Sequence, residues 1–206
     1  MPAIAKVKGK LILVSGPSGA GKDAVIEGAR RRLPADSRYV FPLRTITRPE
    51  GFGGEIHVAV TPAQFDRLRR RGAFAFCWGA RGLNYAIPAS IEADLAAGGI
   101  VIVNVAGSVF AEARARYPGA LAVWVTASPE LRRKRLVARG RETLAEIEER
   151  LRFGEEMPAD EEVEILVNEG SLEAAVTDFV ALLNDSIDLP AAKRRGFSGV
   201  VASGPA

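Results

Sequence analysis

Apolar runs without polar alternation occur at Leu11 to Val14, Ile100 to Val105, Leu121 to Val125 and Val163 to Val167, each short and rich in valine or isoleucine. Strands buried on both faces have this pattern. Helix signals lie between them. Thr61-Pro62, Ile87-Pro88 and Ser128-Pro129 each put proline where a first helical turn tolerates a missing N–H. Thr143 and Glu146 have capping-box spacing, and Gly98 follows Ile91 and Leu95 as a helix stop should. Strands alternating with helices predict an α/β fold: a three-layer domain with a central parallel sheet and helices on both faces. Residues 44–87 fit the alternation less well. There "RPEGFGGE" is a glycine-rich loop and "GAFAFCWG" a short strand, so a separate flap is expected. One domain over residues 1–189 accounts for the pattern. From residue 190 the small, basic stretch without helical period predicts a disordered tail.

Composition narrows the setting. At 206 residues and 48% apolar content the chain can bury a real core. No run approaches the ~18 apolar residues of a membrane span, and residues 1–10 lack the apolar stretch of a secretion signal. A soluble, cytoplasmic protein is expected. The single cysteine, Cys77, cannot close an intramolecular disulfide, and one cysteine with one histidine argues against a zinc site. A net charge of +3 is mild. The clusters Arg30 to Arg32 and Arg69 to Arg71 sit beside apolar positions on predicted helices and read as solvated faces, so neither a nucleic acid nor a membrane partner is expected.

The chemistry concentrates after the first strand. Gly16, Pro17, Ser18, Gly19, Ala20, Gly21 and Lys22 satisfy G-x-x-x-x-G-K between a buried-strand pattern and the helical "DAVIEGARRRL". Such a loop turns consecutive backbone N–H groups around an anion, the helix N-terminus adds partial positive charge, and the lysine reaches the outer phosphates of a nucleotide. Asp23 stands where Ser or Thr usually binds Mg²⁺. A carboxylate is a good oxygen ligand for that ion but repels a naked triphosphate, so Asp23 is expected to act as a metal ligand. The N-K-x-D and D-x-x-G segments of GTP-binding switches are missing, which leaves ATP-dependent phosphoryl transfer.

With that loop, the blocks "RTITRPE", "GLNYAIP", "GGIVIVNV", "LVARGRET" with "IEERL", and "ILVNEGSL" resemble the guanylate-kinase-like branch of the nucleoside monophosphate kinases, over roughly residues 9 to 184. The resemblance implies a P-loop kinase fold that uses ATP and Mg²⁺. It assigns the acceptor's phosphate to Arg44 and Arg48, and an ATP-covering lid over residues 139–155 to Arg139, Arg150 and the extra Arg141. It places Asn168 beside the adenine. Lysine, arginines and Mg²⁺ are the right groups for a loose phosphoryl transition state, which needs charge neutralisation more than a base. A phosphate acceptor, with its second pKa near 6, arrives already ionised.

Guanine recognition is where the resemblance bends. The base-reading glutamate is matched by Phe76 and a following aspartate by Asn104. A phenylalanine cannot accept the base's hydrogen bonds, so guanine specificity is not expected. These departures, with G-P-S-G-x-G-K-D, "GGEIH" and "NEG", match a narrower family that the chain resembles, the ribose 1,5-bisphosphate phosphokinases. That resemblance implies a phosphorylated sugar acceptor, with Glu55, His57 and Tyr85 as further acceptor contacts. A relaxed nucleoside monophosphate kinase and a catalytically dead binding module are the alternatives.

Overall fold

The computed structural model describes residues 9–33, 38–49, 55–152, 157 and 162–188. The proposed tail and most of the glycine-rich segment at 48–55 lie outside the described residues.

Five parallel strands form the main sheet: β1 (Lys10–Ser15), β2 (Tyr39–Val40), β7 (Ile100–Asn104), β8 (Leu121–Thr126) and β9 (Val163–Val167), in the order β2-β7-β1-β8-β9. Leu11 and Leu13 point to one face with Val101, Val103, Ala122 and Trp124; Ile12 and Val14 point to the other with Ile102, Val123 and Val125. Helices α3 (Ile91–Ala96) and α4 (Phe110–Arg116) cover the first face, and α1 (Lys22–Arg32) and α7 (Leu172–Asp188) the second. Phe110 and Phe179, 1% and 0% exposed, anchor the two layers, and each burial contributes roughly 1.5–3 kcal/mol.

The continuous apolar runs are buried on both faces except in β9. As an edge strand it leaves Ile165 and Val167 more than half exposed, with no further strand of the sheet beyond it among the described residues. The expected helix start at Pro88 is also corrected. Pro88 closes strand β6 (Leu83–Pro88), opposite Phe74, and the helix begins three residues later. Proline's missing N–H suits a strand end as well as a first helical turn. The other signals match the structure. Thr61 and Gln64 exchange both capping-box bonds at the start of α2 (Pro62–Arg70), Ser128 precedes Pro129 at the start of α5 (Pro129–Arg139), and Thr143 with Glu146 caps α6 (Leu144–Arg152).

The irregular central segment builds a second sheet, β4-β3-β6-β5, from β3 (Thr45–Ile46), β4 (Val58–Ala59), β5 (Phe74–Ala80) and β6. Its β5–β6 hairpin turns on Arg81 and Gly82, both at positive φ (53° and 72°). No helix among the described residues is long and apolar enough to cross a membrane.

Candidate active site

The carboxyl ends of β1, β7, β8 and β9 converge, since Val14 pairs with Asn104, Ser15 with Trp124 and Thr126 with Val167. Ligands of open α/β sheets bind outside this edge. The loop from Gly16 to Gly21 lies there, followed directly by the N-terminus of α1. Its shape depends on missing side chains. A Cβ on Gly16, at φ 141°, would stand 2.0 Å from the Val125 carbonyl oxygen, and one on Gly21, at φ 93°, 2.4 Å from Asn168 Nδ2. Lys22 folds back over the loop, with Nζ donating to the Gly16 and Pro17 carbonyls at 2.5 and 3.2 Å. That position lays an ammonium across the mouth of the cradle.

Asn168 lies beneath the loop, 2% exposed. Its Nδ2 donates to the Ala20 carbonyl at 2.8 Å, and Arg135 donates to the Asn168 carbonyl at 2.9 Å and to the Ala20 carbonyl at 3.3 Å. These bonds hold the loop to the end of β9.

On the side of the second sheet, Glu55 joins two arginines. Arg44 donates to its Oε2 through Nε at 2.9 Å and again through Nη2, while Arg48 Nη2 donates to Oε1 at 2.9 Å. All three side chains are at least four-fifths buried. His57 serves the backbone here: its ring nitrogens lie 3.1 Å from the carbonyl oxygens of Glu55 and Arg48, so the ring ties both ends of this segment together. Tyr85 stacks on Trp78 with centroids 5.6 Å apart and rings 10° from parallel, and the Arg44 guanidinium lies 5.6 Å from the Tyr85 ring.

The two sides meet at Asp23. Asn104, at the end of β7, donates from Nδ2 to Asp23 Oδ1 at 2.6 Å, and Arg44 Nη2 stands 3.7 Å from the same oxygen. Arg44 Nη1 also donates to the Asn104 carbonyl at 3.3 Å. Mg²⁺ takes one or two carboxylates alongside substrate phosphates; in this arrangement Oδ1 of Asp23 faces an N–H donor and a guanidinium, and the side chain is half exposed. No group of three or more His, Cys, Asp or Glu among the described residues is arranged to hold a metal ion.

Arg139 and Arg150 share Glu142, Arg139 from Nη2 at 3.4 Å and Arg150 through a close ion pair. Burial pushes the Arg150 guanidinium down to about 10, and the nearby charges of Arg81 and Arg139 push the same way. Arg141 is exposed. Arg48 Nε, Arg132 Nε and Arg150 Nε are buried without a hydrogen-bond partner among the described residues. Buried donors are normally satisfied, and phosphate oxygens are the acceptors that guanidinium groups fit best. Phe76, by contrast, belongs to the core: it is 1% exposed with its ring edge-on to Tyr117.

No family model matches the chain. Among curated proteins of similar sequence, the ribose 1,5-bisphosphate phosphokinase PhnN of Acidiphilium cryptum is 48% identical over 183 residues, 88% of this chain and 96% of that protein. The protein of the same name from Thiobacillus denitrificans is 42% identical over 180 residues, 87% of this chain and 95% of that one. The chain belongs to the ribose 1,5-bisphosphate phosphokinase family. In fold it is similar to the guanylate kinase of Anaplasma phagocytophilum, with a TM-score of 0.64 at 16% identity over 89% of this chain and 88% of that one.

In this member of the ribose 1,5-bisphosphate phosphokinase family, sequence reasoning missed three arginines that the fold brings to the site, Arg81, Arg132 and Arg135. Arg81 points from the hairpin turn to Ser18 Oγ at 3.5 Å. With Glu142, Glu146, Glu149 and Arg150 it lines a cavity of about 540 Å³ between the second sheet and α6. Arg132 packs its backbone against Gly19, and Arg135 braces the loop. For Arg81 a signal was present, an arginine before glycine in a two-residue turn. Arg132 and Arg135 stood among the basic residues of "LRRKRL", where spacing alone does not separate inward from outward positions.

Proposed function

We propose that this protein transfers the γ-phosphoryl group of ATP to the 1-phosphate of ribose 1,5-bisphosphate, forming 5-phospho-α-D-ribose 1-diphosphate and ADP, in the cytoplasm. The observation that carries this reading is the 48% identity to a protein of that name along nearly the whole length of both chains. The site agrees with it. The backbone from Gly16 to Gly21 cradles the triphosphate and Lys22 neutralises its outer oxygens. Arg139, Arg150 and Arg141 close over it from a lid spanning 139–155, which keeps water from the transferring group. Arg44 and Arg48 grip the acceptor's phosphate in the flap formed by residues 44–87. Glu55 and Asn104 offer oxygens to the sugar hydroxyls, and Tyr85 offers its hydroxyl to a phosphate oxygen. Asn168 supports the nucleotide side from below the loop.

The acceptor's ionised phosphate oxygen attacks the γ-phosphorus in line, the bond to the β,γ-bridging oxygen breaks, and ADP leaves with the electron pair. No proton has to move, because the attacking oxygen is already charged at neutral pH. Magnesium is the ion that accompanies the triphosphate, and no step is assigned to a protein-held metal. The buried Phe76, in the place of a base-reading carboxylate, fits an acceptor that has no base.

A coupled ADP assay offering ribose 1,5-bisphosphate and GMP side by side, with the product identified by phosphorus NMR, tests the reading. A diphosphate at carbon 1 of the sugar and little turnover of GMP are expected. Faster ADP formation with GMP would overturn it, and undetectable ATP binding would exclude phosphoryl transfer of either kind.

A further inference from the structure

The carboxylate of Asp23 finds its partners on the acceptor side of the loop. Asp23 occupies the first turn of α1, immediately after the lysine of the phosphate loop, and half of its side chain is exposed. Yet Oδ1 receives the Asn104 amide at 2.6 Å and faces the Arg44 guanidinium at 3.7 Å. Arg44 closes the triangle by donating to the Asn104 carbonyl at 3.3 Å. A hydroxyl at position 23 would be too short to reach both partners and would carry no charge to set against Arg44. The aspartate therefore solves a problem on the other side of the loop. Arg44 must hold its guanidinium toward a phosphate while lying between Glu55 and the end of β7. A second carboxylate, fixed on the rigid start of a helix, supplies the electrostatic counterweight and fixes its direction.

We propose that Asp23 is a positioning residue for the acceptor: it orients Arg44 and Asn104 toward the acceptor's phosphate and sugar rather than binding the metal ion of the nucleotide. The inference rests on the phosphotransfer reading above, and it deepens it by joining the nucleotide loop to the acceptor clamp through one side chain. Position 23 then contributes to acceptor selection, since the clamp takes its geometry from a residue that loops ending in serine or threonine do not have.

The test compares wild type with Asp23→Ser and Asp23→Asn in initial-rate assays that vary ribose 1,5-bisphosphate, ATP and Mg²⁺ separately. Loss of a charge-assisted hydrogen bond corresponds to about tenfold or more. Asp23→Ser is expected to raise KM for the acceptor by about that factor, with the half-saturating Mg²⁺ concentration and KM for ATP within about twofold of wild type. Asp23→Asn keeps an oxygen for Asn104 but loses the charge facing Arg44, and should fall between the two. A tenfold change in half-saturating Mg²⁺ with acceptor KM unchanged would overturn the proposal. Thermal melts establish that each variant is folded. If Asp23→Ser does not fold, a cycle of Asp23→Asn with Asn104→Ser replaces it: strongly non-additive effects on acceptor KM support the link, and additive effects oppose it. Should the wild type leave ribose 1,5-bisphosphate untouched, the assigned reaction fails by itself. Calorimetric binding of a non-hydrolysable ATP analogue across a Mg²⁺ titration, which needs no acceptor, then decides Asp23: equal metal dependence in wild type and Asp23→Ala, which leaves no ligand oxygen at position 23, supports the proposal, and a tenfold difference defeats it.

Discussion

Asn168 Nδ2 donates to the carbonyl oxygen of Ala20 at 2.8 Å, across 148 residues of chain, and so fastens the phosphate loop to the far edge of the main sheet. The bond is buried, and Arg135 reaches the same carbonyl and the Asn168 backbone. The loop owes its shape to these clasps as well as to its glycines.

Asn168→Ala removes the clasp and leaves the Ala20 carbonyl with the longer Arg135 bond alone. A buried polar group deprived of its partner costs about 1–3 kcal/mol. A loss of unfolding free energy of that size is expected, read as a lower urea midpoint at unchanged slope, with weaker binding of an ATP analogue. An unchanged midpoint would mean that water or Arg135 replaces the amide at no cost.

Lys22→Ala and Arg139→Ala are expected to keep their melting profiles and to lose ADP formation by about a hundredfold or more, the scale for removing one preorganised charge from a transition state. Lys22 bonds to loop carbonyls and Arg139 to the carboxylate of Glu142, and neither side chain belongs to the buried apolar core. Retained turnover in either variant would remove it from the proposed machinery.

Arg81 occupies the left-handed region at φ 53°, where asparagine and glycine are favoured in two-residue hairpin turns. Arg81→Asn should therefore leave the hairpin intact and raise the melting temperature by up to about 2–4 °C. A fall instead would show that the contact with Ser18 and the site outweighs the backbone strain.

Tyr117 gives a spectroscopic check of the core. Burial pushes its phenol up to about 12; Arg116 opposes that shift, while Glu92, 3.2 Å away, adds to it. The folded protein holds this proton more tightly than the unfolded chain, whose phenol titrates near 10. The associated stability is fully present below pH 10 and is lost as pH rises through about 12. Absorbance at 295 nm should show a phenolate forming only near pH 12, and Tyr117→Phe should remove that late step.

Much of the architecture was legible in the residue pattern. Val and Ile runs too short for helices marked the parallel strands, and Thr61, Ser128 and Thr143 marked helix starts that the backbone confirms. Ile87-Pro88 misled because proline ends a strand as readily as it begins a helix. The run from Val163 to Val167 misled because residue type does not say whether a strand lies in the middle of a sheet or at its rim. In the site, the glycines and Lys22 were readable as a local motif. The separate natures of Arg132, Arg133 and Arg135 were not, since neighbouring arginines differ only in which way α5 turns them.

By itself the chain's order of residues determined whatever depends on neighbours: strand and helix starts, the anion cradle, and the set of arginines available for phosphate. Tertiary structure alone decided which of those groups meet. Asp23 and Asn104 lie 81 residues apart, and their bond exists because β7 pairs beside β1 and ends level with the loop. Backbone preferences act over a few residues, whereas a side chain's partner is set by strand order and by the crossing of elements. The identity of residue 23 is therefore written locally, and the company it keeps is a property of the packed molecule.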